Sequence, residues 1–163
     1  MIEKLGTLPD DDLIHAVVEY VVLQLGKDPD RQAEAVNDLS PDLRAFYATW
    51  LVDAEVKNGG FNQYFWNNGG GMAAAAVEGF RLPGAQDHAS LMLKAVAIWE
   101  QERAEMQHFE GEGTLEAFSE ADESTALGEL DAPYYDLPDI EAIHIRFIRA
   151  HPEMFDDRAR RVN

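Results

Sequence analysis

Glu55-Val56-Lys57-Asn58-Gly59-Gly60-Phe61-Asn62-Gln63-Tyr64-Phe65-Trp66-Asn67-Asn68, running on into Gly69-Gly70-Gly71, is the stretch whose reading decides the fold. Four aromatics, five amides and five glycines fall within it, a density found nowhere else in the chain. The pattern describes a helix that stops, a tight turn, and a second short helix packed against the first. Asn58 and Gly59 form the stop, because glycine enters the left-handed region without a Cβ penalty and asparagine tolerates it. After the restart, Phe61, Tyr64 and Phe65 recur at i, i+3, i+4 on one face, with Gln63 and Asn67 at i, i+4 on another. Glu55 follows Leu51 by four residues and Tyr47 by eight, so its carboxylate borders an apolar stripe and needs hydrogen-bond donors. The backbone N–H groups of Gly60 and Phe61 are the expected donors.

Upstream, Ser40-Pro41 reads as a cap followed by proline at the first helical position. Leu43, Phe46, Tyr47, Trp50, Leu51 and Ala54 then form the expected core face of a strong helix reaching the motif. Nearer the N-terminus, Pro9-Asp10-Asp11-Asp12 is an acidic helix start. Leu13, Val17, Val18, Val21, Val22 and Leu25 give its stripe, and Gly26 closes it. A weaker helix covers 29–38. Downstream, the spacing predicts helices over 72–80 and 86–108, the second with Met92, Val96, Trp99, Arg103 and Met106 in line and Leu91, Ala95 and Ile98 beside them. A further helix runs from 115 or 119 to 127, Asp131 to Asp136 makes a turn, and Pro138 starts the last helix, with Ile140, Ile143, Phe147 and Ile148 inward. No repeat, long linker or alternating strand pattern appears. The expectation is one all-α domain over 1–163, with a helix-Gly-Gly-helix core motif inside 40–110, an acidic segment at 100–141 and a basic tail at 156–163.

The 163 residues are 46% hydrophobic, enough for one domain to bury a sizeable core. No charged-then-apolar leader or membrane-length apolar run is seen, so no membrane association is expected. With no cysteine, disulfides, thiolate catalysis and cysteine metal sites are excluded, which suits a cytoplasmic protein. The net charge of −18 repels nucleic acid and attracts basic partners. It is unevenly spread: residues 100–141 hold fourteen acids against the single base Arg103, whereas 41–99 hold five acids and four bases.

Enzyme chemistry finds little footing. Serine and cysteine triads have no motif here. The best chemical candidate is a carboxylate-bridged metal centre from Glu105-x-x-His108 and Glu141-x-x-His144, with Glu19 and Glu55 as lone carboxylates. Among sixteen Glu and five His such pairs arise readily by chance, and Glu141 is explained as a first-turn carboxylate favouring its helix dipole. The Asp10–Asp12 triplet lacks the alternating ligands of a calcium loop. Gly69-Gly70-Gly71 lacks the Lys-Ser/Thr of a phosphate loop. His15, His88 and His151 read as surface or edge residues. No catalytic residue, metal or cofactor is assigned.

The motif itself, Glu55-Val56-x-Asn58-Gly59-Gly60-Phe61-x-Gln63-Tyr64-Phe65-x-Asn67, resembles that of a bacterial family of small acidic helical proteins. That family is mostly catalogued as a domain of unknown function, and it includes DNA mimics. The resemblance covers roughly residues 40–110 and implies architecture more strongly than activity; homodimerisation is also what it implies. Charge arithmetic points the same way. Duplex DNA carries one negative charge per roughly 1.7 Å of axis, so thirteen net charges match about 22 Å of duplex. The function expected is therefore non-enzymatic: binding the basic surface of a nucleic-acid-binding protein, such as a helix-turn-helix regulator, in competition with DNA, with no direct contact to nucleic acid. The carboxylates expected to stand in for phosphates are Glu100, Glu102, Glu105, Glu110, Glu112, Glu116, Glu120, Asp122 and Glu123. Glu55, Asn58, Gly59, Gly60, Phe61, Gln63, Tyr64 and Asn67 are expected to shape the scaffold. The alternative is a small-molecule or metal pocket around Glu55, Asn58, Gln63 and Asn67, which would show as convergence of Glu55, Gln63 and Asn67 in a wet cleft.

Overall fold

The computed structural model describes residues 5–26, 28, 35–110 and 114–155, with the backbone alone at 105–110. The regular elements among them are all helical: α1 (Asp10–Leu25), α2 (Pro41–Asn68), α3 (Ala73–Arg81), α4 (Gln86–Glu110), α5 (Leu115–Ser124), α6 (Asp131–Tyr135) and α7 (Ile140–Ala150). Short 3-10 turns occupy Ala126–Leu130 and Pro152–Phe155. Residues 35–38 are also helical, while 29–34 of the helix expected there and the basic tail lie outside the described residues. The protein is all-α. Its chain forms two compact units, residues 1–47 with 139–163, and residues 48–138.

In the first unit, α1 begins with three aspartates in its first turn and buries Leu13, Ile14, Val17, Val21 and Leu25. Val22, expected inside, is 47% exposed, and Ile14 takes its place. Gly26, at φ 70°, ends the helix and returns its N–H to the Val22 carbonyl. Helix α7 packs against α1. It starts at Ile140 rather than Pro138, because the Asp139 carboxylate accepts the Glu141 N–H and supplies the cap. Its buried line is Ile140, His144 and Ile148. The His144 ring lies 5.0 Å from that of Phe46, which in turn meets Phe155 edge-on at 5.7 Å. Arg149 clamps this unit. Its guanidinium donates to the Leu5 and Leu8 carbonyls and to Asp10 at 2.7 Å, a planar fork spread over three acceptors.

Helix α2 starts as its cap predicts, with the Leu43 N–H donating to Ser40 Oγ at 3.3 Å. Its buried face is rotated from expectation: Leu43, Phe46, Thr49, Val52 and Val56 are buried, Tyr47, Trp50 and Leu51 are half-buried, and Ala54 is exposed. The chosen stripe included large residues on the border and omitted Val52 and Val56, which lie on the inward line.

The second unit packs α3 against α4, and α4 against α5, α6 and the first 3-10 turn. Phe61, Tyr64, Phe65, Phe80 and Met92 are fully buried at its centre. Phe65 stacks on Trp99 with ring centroids 5.2 Å apart, and the far edge of Trp99 lies over Gly70. At φ 71°, Gly70 combines a conformation that favours glycine with a surface on which a Cβ would sit 2.9 Å from the indole. His88, expected at the surface, is buried between Phe80 and Tyr134, with ring centroids at 5.3 and 5.6 Å. Burial lowers its pKa, and the nearby carboxylates of Asp53 and Asp87 oppose the shift.

Candidate functional site

The helix-Gly-Gly-helix motif is a sharp break within α2. Gly59 (φ −162°, ψ 29°) and Gly60 (φ 79°, ψ 178°) leave the helical region; the positive-φ glycine expected at Gly59 is Gly60 instead, and neither Asn58 nor Gly59 is left-handed. The restart exposes N–H groups, and the Phe61 N–H is taken by Asp131 Oδ1 at 2.8 Å. The rest of that carboxylate rests on Gly60, where a Cβ would collide with it. Glu55, the expected cap, is not the acceptor. Asp131 reaches the same donor from α6, a segment read from sequence as a turn.

The same helix turn secures the other side of the break. Four residues after Asp131, Tyr135 donates its hydroxyl to the Val56 carbonyl at 2.8 Å, in the last turn before the stop, where helix acceptors lose their partners. Between them, Tyr134 donates to Asp53 Oδ1 at 3.1 Å, and Asp53 also pairs with Lys57. Asp131 is held above the ordinary carboxylate pKa, first by burial and then by Asp122, with the Phe61 N–H opposing both. Asn62, buried beside this group, donates to Asp122 Oδ1 at 3.2 Å.

Glu55 has a different task. A single oxygen of its carboxylate accepts from Gln63 Nε2 at 2.7 Å and Asn67 Nδ2 at 2.9 Å, tying the two halves of α2 together across the break. The Gln63 carbonyl oxygen is pressed onto Gly59, so a Cβ there would displace the Gln63 carboxamide, while the φ of Gly59 suits any residue. Beside this trio opens a cleft of about 600 Å³. Asn58, Gln63 and Asn67 line it with amides, Thr114 adds a hydroxyl, and Trp66, Leu115 and Phe118 make an apolar wall. Trp66 meets Phe118 edge-on at 5.2 Å, and Leu115 at the mouth is 84% exposed. Glu55, Gln63 and Asn67 thus converge through these hydrogen bonds, but Glu55 is not among the residues that line the cleft, and Phe61 and Tyr64 are buried in the core.

The acidic residues divide by position. Glu100, Glu116, Glu120 and Glu123 are exposed, and Glu100 lies 3.4 Å from Arg103. Glu102 is partly enclosed: it accepts from Thr125 Oγ1 at 2.6 Å and from the Ala126 N–H at 3.3 Å, capping the 3-10 turn. Asp122 is exposed yet holds Asn62. The side chains of Glu105 and Glu110, and Glu112 altogether, lie outside the described residues, as does the side chain of His108. Helix α5 carries most of the exposed set because Thr114 caps it, through the Ala117 N–H at 3.1 Å, and Ala117 and Ala121 turn its small face inward. Among the described residues no three histidines or carboxylates could jointly hold a metal ion, and no helix is long and apolar enough to cross a membrane.

Fold and site together define an acidic all-α protein with a clamped helix break beside an open, amide-lined cleft. The chain belongs to the DMP19-like protein family, whose model matches residues 37–151 and so spans the break, the cleft and α5. No curated protein and no solved structure matched it.

Proposed function

We propose that the protein acts in the cytoplasm as a DNA-mimic-like binder, occupying the basic surface of a nucleic-acid-binding protein, such as a helix-turn-helix regulator, and competing with DNA. It catalyses no reaction of its own in this reading. The observation that carries it is the exposed line Glu116, Glu120 and Glu123 on α5, at i, i+4, i+7 along one face. Four residues of helix advance about 6 Å, close to twice the 3.4 Å axial step between phosphates of one DNA strand. Glu100 extends the set from α4. Membership of the DMP19-like family supports the reading, since the resemblance drawn from the motif includes DNA mimics. Glu102 and Asp122 contribute less as phosphate stand-ins, because their oxygens already hold Thr125, Ala126 and Asn62. A homodimer would double the length of duplex imitated.

The test is capture from host lysate at low salt, with a salt step for elution and mass spectrometry of the eluate. A basic DNA-binding protein that duplex DNA displaces supports the proposal, and Glu116→Gln/Glu120→Gln/Glu123→Gln should weaken its retention at least tenfold. Retention that ignores both salt and the triple variant would refute it.

A further inference from the structure

The cleft beside the helix break has a chemistry of its own. A carboxylate only accepts hydrogen bonds, so the contacts to Glu55 fix both amides with nitrogen toward it. Gln63 and Asn67 therefore hold their carbonyl oxygens away from Glu55, that of Gln63 against Gly59. The polar side of the cleft thus offers the Asn67 carbonyl and borders the Glu55 carboxylate that holds Gln63 and Asn67, and no lysine, arginine or histidine among its described residues lines it. The opposite side is aromatic, Trp66 against Phe118. An amide acceptor, a half-buried negative charge and an indole wall suit a group that is flat, cationic and dense in N–H donors. They disfavour phosphates, carboxylates and any other anion.

We propose that this cleft is an anchor site for an arginine side chain presented by the basic partner. The guanidinium would stack on Trp66 and donate toward the Asn67 carbonyl and Glu55. This inference rests on the mimicry reading for the source of the arginine. Proximity supports that source: Leu115, exposed at the cleft, lies on the same helix as Glu116, Glu120 and Glu123, about a quarter turn from their face. A basic surface seated on those carboxylates brings its side chains to the cleft mouth and covers Leu115. Backbone phosphates would be imitated by the carboxylates, while the cleft would grip one residue in a way that no phosphate can.

The experiment is an NMR titration of the isotope-labelled full chain with two capped peptides, acetyl-Ala-Arg-Ala-amide and its citrulline counterpart, a neutral isostere of arginine. The arginine peptide should saturably shift the Trp66 indole N–H and the side-chain amides of Gln63 and Asn67. Citrulline should bind at least tenfold more weakly. Glu55→Gln, which keeps an oxygen for one amide, should weaken the arginine peptide about tenfold, and Trp66→Leu should abolish the saturable site while the circular dichroism stays helical. Equal binding of both peptides would overturn the proposal in favour of a pocket for neutral molecules. Shifts confined to α5, or surviving Trp66→Leu, would overturn it in favour of diffuse charge attraction. The two proposals fail separately. A partner held at full strength by Trp66→Leu yet displaced by DNA sinks the anchor alone, whereas a saturable arginine site without DNA-competitive capture sinks mimicry alone.

Discussion

Asp131 Oδ1 and the backbone N–H of Phe61, 70 residues apart in the chain, lie 2.8 Å from each other. That bond decides how the interrupted helix resumes, because it supplies the acceptor that the first N–H groups of any helix lack.

Asp131→Ala should therefore cost about 1–3 kcal/mol, the range for losing a cap and leaving a part-buried donor unpaired. Urea unfolding monitored by circular dichroism measures it. Asp131→Asn keeps an acceptor oxygen and should cost less. The charge also carries a pH signature. Since folding raises the pKa of Asp131 above the ordinary 3.8, the folded state holds the proton more tightly. Stability from this group is present below that value and is lost as the pH rises through the folded pKa. Asp131→Asn should flatten the curve in that window, and an unchanged curve would contradict the assignment.

His88 should act in the opposite sense. Burial lowers its pKa below 6.5, so the folded state holds the proton less tightly than the unfolded chain. Its contribution is complete above pH 6.5 and is lost as the pH falls toward the folded pKa. The midpoint of thermal unfolding should drop between pH 7.5 and 5.5, and His88→Phe should reduce that drop.

Gly59 and Gln63 should couple. Gly59→Ala places a Cβ against the Gln63 carboxamide, which must leave Glu55 to make room. Gln63→Ala removes both the obstacle and the bond. A double-mutant cycle should give a coupling energy of about 0.5–3 kcal/mol, with the double variant less harmed than the sum of the singles. Additive losses would mean that Gly59 is required for another reason.

Arg149→Lys should destabilise the first unit although the charge remains. One ammonium cannot reproduce a fork that meets the Leu5 and Leu8 carbonyls and Asp10 together. A loss of about 1–2 kcal/mol is expected for hydrogen bonds of this kind, one of them to a charged partner. Faster hydrogen exchange in α1 is the measurement that checks it.

The helices and several of their ends were legible because their signals are local. Ser40 before Pro41, Gly26, and the stop at Asn58-Gly59 each act within a turn of helix. The clamp was not legible. Asp131 and Tyr135 looked like turn residues, since nothing near them names Phe61 or Val56 as partners. Glu55 was recognised as needing donors, but two amides after the break were nearer than the backbone assigned to it. His88 was misplaced for a related reason: its neighbours Phe80 and Tyr134 come from segments on either side of it, and a lone histidine carries no period. Within the acidic segment, charge was easy to count. Which carboxylates face outward depended on Thr125 and Asn62, partners more than twenty residues from Glu102 and sixty from Asp122.

The clamp on the helix break has a consequence for synthesis. A ribosome delivers Phe61 long before Asp131, so the growing chain carries an interrupted helix whose restart is hydrated and whose Val56 carbonyl awaits its hydroxyl. Only when Tyr135 clears the exit tunnel can both sides of the interruption close at once. Any truncated chain that ends before Asp131 holds the whole motif and still cannot fasten it.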